Sequence, residues 1–235
     1  RYFGDKIKPE LLDESLRLFA HLPQNQLFND LLKLSAELIK NDESYNQVQV
    51  NTLSISMKSD FFIPEVFANL LYKDTDKKLK PYSVAIALHF VIQIQKGFEA
   101  SKIVPLFKIL FDHSPEVIGI ILTVILTKLD SNFNSIKIQI VTIGLTTKAV
   151  NNIPMNLISR FIVQSFEQPT GLQMISLIMI KNPTIGIAIL SQSVAKVAFL
   201  LAANDVQNCR SYLIFIRLCL VILFGNQPYG TDLPI

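Results

Sequence analysis

Apolar residues recur along most of this chain at the spacing of an α-helix. In NQLFNDLLKLSAELIK, Leu27, Leu31, Leu34 and Leu38 step by four, three and four, while Asn29, Asp30, Lys33 and Glu37 fall elsewhere on the turn. In EASKIVPLFKILFDH, residues Ile103, Leu106, Phe107, Leu110 and Phe111 make an equally regular face. The same periodicity predicts helices near 8–22, 25–40, 61–72, 82–97, 100–112, 115–129, 152–167, 170–181, 184–202 and 208–224. Two segments, QVQVNTLSISM (47–57) and IKIQIVTIG (136–144), alternate as strands do. Both are assigned to helices, because the rest of the chain offers no partner strand with comparable alternation.

Proline punctuates the apolar runs at Pro9, Pro64, Pro81, Pro105, Pro115, Pro154, Pro169 and Pro183, as suits a residue preset for the first turn of a helix. In SPEVIGIILTVILTKLD, Ser114 is placed to cap free amides, Pro115 to open the first turn and Glu116 to face the positive helix end. Asn182 before Pro183 repeats the arrangement. Pro81 and Pro115 are 34 residues apart, and Pro115 and Pro154 are 39 apart, near the period of two-helix and three-helix repeats. Many short helices, opened by motifs such as Ser114, Pro115 and Glu116, make residues 60–225 resemble the HEAT and armadillo repeat families. The resemblance implies an all-α fold: a right-handed α-solenoid of stacked antiparallel helix pairs, with 10–12 helices. It also implies a curved inner face that binds extended peptides, other helices or, less often, nucleic acid. One helical-repeat domain is expected over 1–235, with the charged loop KDTDKKLK (73–80) as a solvated connection and the one candidate internal break. From the initial Arg1 the chain is expected to be a piece of a larger protein.

The run from Val117 to Thr127 supplies eleven uncharged residues between Glu116 and Lys128. That is roughly 16 Å of helix, short of the about twenty residues that span a bilayer. The longest uncharged run, Pro81 to Gln95, has fifteen residues. The sequence therefore predicts no transmembrane segment, and the 115–129 helix is expected in the core.

Half of the residues are apolar and 17% are charged, against roughly a quarter charged in ordinary domains. The first 117 residues carry fifteen acidic and fourteen basic side chains, the remaining 118 only four and eight. The basic residues of the second half fall about once per helix. Lys128, Lys137, Lys148, Arg160, Lys181 and Lys196 would line up as a ridge in stacked repeats. Such a ridge would suit phosphates or an acidic peptide; the plainer reading makes these residues solvated helix ends. In NCRSYLIFIRLCLVILF, Arg210, Ile214, Arg217 and Val221 share one face and form the expected partner-binding patch.

Catalytic signatures are missing from the sequence. His21, His89 and His113 have no second ligand at metal spacing, and no phosphate-binding glycine loop, nucleophile elbow or HExxH motif occurs. No catalytic residue, metal or cofactor is expected. Gly119, Gly144 and Gly186 are read as close-packing points between helices. Cys209 and Cys219 are read as buried free thiols, which favours an intracellular, cytoplasmic or nuclear setting. The sequence thus predicts a non-enzymatic scaffold that binds a protein partner through its C-terminal helices. The alternative is nucleic-acid or phosphoinositide binding along the Lys/Arg series.

Overall fold

The structure, a computed structural model, describes residues 7–21, 26–147, 153–166 and 169–225. Among these residues it holds twelve α-helices, joined in places by short 3-10 turns, and no strand. The chain divides into two compact units, Arg1–Val117 and Ile118–Ile235.

The first unit contains α1 (Pro9–Phe19), α2 (Gln26–Asn41), α3 (Gln49–Lys58), α4 (Pro64–Lys73), α5 (Ser83–Gln95) and α6 (Ala100–His113). Here α2 packs on α4 and α4 on α6, so alternate helices form a row, while α1 lies against α3 and α5 against α6. The core of this unit is aromatic. The rings of Phe62, Phe67, Phe90 and Phe107 meet in stacked and edge-on pairs with centroids 5.3 to 5.9 Å apart, the separations at which ring quadrupoles attract.

The second unit contains α7 (Ile118–Lys128), α8 (Asn134–Thr146), α9 (Met155–Ser165), α10 (Pro169–Lys181), α11 (Pro183–Ala202) and α12 (Val206–Phe224). Alternate helices again adjoin: α7, α9 and α11 form one row, α8, α10 and α12 the other. Consecutive helices α10, α11 and α12 also pack on one another.

Both alternating segments are helical, as α3 and α8. In α8 the buried positions Ile138, Val141 and Leu145, with Lys137, Ile140 and Gly144 beside them, repeat every three or four residues. Thr142 and Thr146 return their hydroxyls to the carbonyls of Ile138 and Thr142, at 2.6 and 2.7 Å, so a β-branched residue costs the helix no unsatisfied polar group. In α3 the buried polar residues are satisfied likewise: Ser35 and Thr52 hydroxyls lie 2.8 Å apart, and the Gln49 amide donates to the Leu70 carbonyl at 2.8 Å.

Several expectations of local sequence change here. The α6 stripe Ile103, Leu106, Phe107, Leu110 and Phe111 is buried as predicted, but Pro105 lies inside that helix and does not open it. In α2 the leucine stripe is not the buried face. Leu27 and Leu34 are exposed, and Phe28, Leu32, Ala36 and Ile39 turn inward instead, because the helix presents that neighbouring stripe to α4. The loop 73–80 is more than a solvated connection, since Asp74 and Leu79 are buried in it. Asn182 makes no capping bond at the start of α11; its amide donates to the Leu145 carbonyl at 3.2 Å and ties α11 to the end of α8.

Candidate interaction face and basic groove

Helices α11 and α12 have 20 and 19 residues, about 30 and 28 Å at the α-helical rise. The turn between them ends on Asp205, whose carboxylate accepts from the backbone N–H and the side-chain amide of Asn208 at 3.2 and 2.7 Å, capping α12. On its inner side α11 approaches α10 closely at Gly186, where a Cβ would meet Met179 Sδ at 2.4 Å. Large apolar residues of both helices remain exposed: Ile187, Val194 and Leu201 along one stripe of α11, with Phe199 on another side of it, and Leu213, Leu220 and Phe224 on α12. The expected patch Arg210, Ile214, Arg217 and Val221 is exposed throughout on α12, on the one stripe that its four-, three- and four-residue steps define.

The same two helices overturn the expectation of no transmembrane segment. Pro183–Ala202 and Val206–Phe224 have mean hydropathies of 1.9 and 1.5 over an 18-residue window, and both are long and apolar enough to cross a membrane. A count of uninterrupted uncharged residues missed them, because Lys196 divides the first run and Arg210 and Arg217 divide the second. One or two cations do not disqualify a span, since their stems can carry the charge toward the interface. The decisive quantity is mean hydropathy over an unbroken helix, and helix length is a property of the fold.

The expected basic ridge resolves into separate fates. Lys128 and Lys181 are exposed in the last turns of α7 and α10. Lys137 is buried, and that burial holds its ammonium below the usual lysine range against the opposing pull of Asp130. Lys148 lies outside the described residues. Arg160 and Lys196 do come together: both line two cavities of about 340 and 370 Å³ that share Phe199 and Tyr212 and form one groove between α9, α11 and α12. Lys196 is held over the Phe199 ring, Nζ 4.4 Å from its centroid. Sequence reasoning missed Tyr212, Phe199 and Gln164 as groove residues. They carry no motif, and only the packing of α9 beside α11 and α12 assembles them.

A second polar cluster is buried in the first unit. His113 Nε2 lies 2.8 Å from Asp74 Oδ2, His113 Nδ1 lies 2.7 Å from Ser114 Oγ, and Ser83 Oγ donates to Ser114 Oγ at 2.7 Å. Asp74 also accepts the backbone N–H groups of Lys78 and Leu79 at 2.8 and 2.6 Å. With a neutral ring, the proton belongs on Nε2 toward the carboxylate, and Nδ1 accepts from Ser114. An Asp–His–Ser chain suggests a hydrolytic triad, yet its geometry opposes one. The serine sits on Nδ1 and the aspartate on Nε2, the reverse of the serine-hydrolase arrangement. The Ser114 side chain, expected to cap a helix, is wholly buried and cannot reach a substrate. Chemically the cluster binds the 74–79 loop to the end of α6.

His89 is buried differently. It packs on Phe62 and Phe67 at 5.6 and 5.4 Å between ring centroids, and its Nε2 has no hydrogen-bond partner. Desolvation, with Lys96 adding to it, pushes its pKa down to about 4. His21 is exposed. Among the described residues no group of His, Cys, Asp or Glu could hold a metal ion.

Comparison of the chain with protein-family models, with curated proteins and with solved structures finds no match.

Proposed function

We propose that the chain is a non-enzymatic α-solenoid module of the HEAT and armadillo type that docks a protein partner on the outward face of α11 and α12. The observation that carries the reading is the exposed apolar surface of these two helices, interrupted by Lys196, Arg210 and Arg217 and by no carboxylate within either helix. An apolar patch with scattered arginines has the composition of an interface core. The rows of alternate helices support the solenoid, because in a stack of helix pairs each helix touches its equivalents in the neighbouring repeats.

The test compares the tagged whole chain with an Ile214→Glu/Arg217→Glu variant, both recovered from the source cells, treated with nuclease and analysed by quantitative mass spectrometry. A stoichiometric protein that survives nuclease and falls at least tenfold in the variant is the expected result. Equal recovery with the folded variant sinks the reading, and association lost on nuclease treatment transfers it to nucleic acid.

A second reading, insertion of the α11–α12 hairpin into a bilayer, is favoured by the helix lengths, which match a hydrocarbon core of about 30 Å. Against it, Lys196 and Arg217 lie well inside their helices, where a lone cation costs about 2.5–3.5 kcal/mol on insertion scales. Alkaline carbonate extraction separates the two. Retention in the membrane pellet supports the hairpin, and release supports docking on a protein.

A further inference from the structure

We propose that the groove between α9, α11 and α12 receives the carboxylate of an acidic side chain, a Glu or Asp of the docked partner that is followed by an apolar residue.

Three features of the groove make it a receptor for that group. The first is charge. Arg160 and Lys196 are exposed into the groove, and among the described residues neither forms an ion pair. Arg160 offers a planar fork that matches a carboxylate in two parallel hydrogen bonds, while Lys196, steered by Phe199, offers a point charge. The second is Tyr212. It is only 9% exposed, it lines both cavities, and its hydroxyl has no hydrogen-bond partner among the described residues. The hydroxyl is not cut off from solvent, since the buried side-chain atoms without a partner among the described residues are Asn29 Oδ1 and His89 Nε2, so it opens to the groove and can donate to a carboxylate oxygen that arrives there. The third is the Phe199 ring, 63% exposed at the groove edge, a platform for the methylenes or the next apolar residue of the arriving segment.

Asp205 also lines the smaller cavity and selects among anions. With Arg160 and Lys196 it leaves the groove a net charge of about +1, which neutralises one carboxylate and under-compensates a phosphate dianion. Asn208 already engages both Asp205 oxygens, which turns that carboxylate toward the helix cap.

The proposal rests on the docking reading only for the source of the carboxylate, so its test uses no partner. Glutamate capped by acetyl and amide groups, capped glutamine and inorganic phosphate are titrated separately into the whole chain. The side-chain Nε–H resonances of Arg160 and Arg217 are followed by NMR. Expected is a saturating shift at Arg160 with capped glutamate alone, weakened at least fivefold by Arg160→Gln or Lys196→Gln and several-fold by Tyr212→Phe, while Arg217 responds without saturation. Equal, non-saturating shifts at both arginines would show plain screening and remove the site. Phosphate saturating more tightly than capped glutamate would overturn the carboxylate assignment. Either result leaves the Ile214/Arg217 capture experiment to decide docking on its own.

Discussion

His113 Nε2 stands 2.8 Å from Asp74 Oδ2 and joins residues 39 positions apart within the first unit. The Asp74 carboxylate serves three donors at once: the imidazole and the amides of Lys78 and Leu79. Lys77 adds a bond from its ammonium to the His113 carbonyl at 2.8 Å. Removing the acceptor therefore leaves several buried donors unpaired. Asp74→Ala is expected to lower the unfolding free energy by about 3–5 kcal/mol, and Asp74→Asn, which keeps one oxygen, by roughly half as much. Urea unfolding of the whole chain measures both; a loss under about 1 kcal/mol for the alanine variant would show that water takes over the carboxylate's role.

Acid should destabilise the protein through His89. Above about pH 7 the ring is neutral in both states. As pH falls below 6.5 the unfolded ring binds a proton, while the folded ring resists until about 4. Stability is therefore constant above that window, declines across it by roughly 2–3 kcal/mol, and levels off beneath it. In His89→Phe, which keeps an aromatic ring against Phe62 and Phe67, the decline attributable to this group should vanish. Thermal midpoints of both proteins between pH 7.5 and 4.5 give the comparison.

At Gly186 two effects of opposite sign compete. Alanine would gain about 1 kcal/mol of helix propensity, but its Cβ would meet Met179 Sδ at 2.4 Å and the Met179 Cα at 3.3 Å. Met179 is only 3% exposed and has little room to turn, so overpacking, typically 1–3 kcal/mol, should win. Gly186→Ala is expected to destabilise by about 1 kcal/mol alone and to become neutral or stabilising on a Met179→Ala background. A double-mutant cycle reads the coupling directly.

Cys209 and Cys219 are both buried on α12 and stand about 15 Å apart along its axis, too far for a disulfide. Neither thiol should react with a disulfide-exchange reagent within minutes in the native protein, and both should react in denaturant. Rapid native labelling would mean that α12 opens from its neighbours.

Helix content was legible from sequence because the 3.6-residue period is local. The α6 stripe shows this, and so do α3 and α8, where alternation gave way to helix once no strand could partner it. Which face each helix buries was decided by its neighbours. In α2, Leu27 and Leu34 satisfy the period as well as Phe28 and Leu32 do, and only packing against α4 selects the second stripe. The same limit applies to the sites. Arg160, Lys196 and Tyr212 lie on three different helices, and Asp74 and His113 are 39 positions apart, so no spacing rule foretells their meeting. Membrane-competent length in α11 and α12 likewise depended on each helix running unbroken past its cations. Sequence by itself determined the backbone hydrogen-bonding pattern, which adjacent residues control. Tertiary structure decided burial and encounter, because both depend on surfaces that distant segments supply.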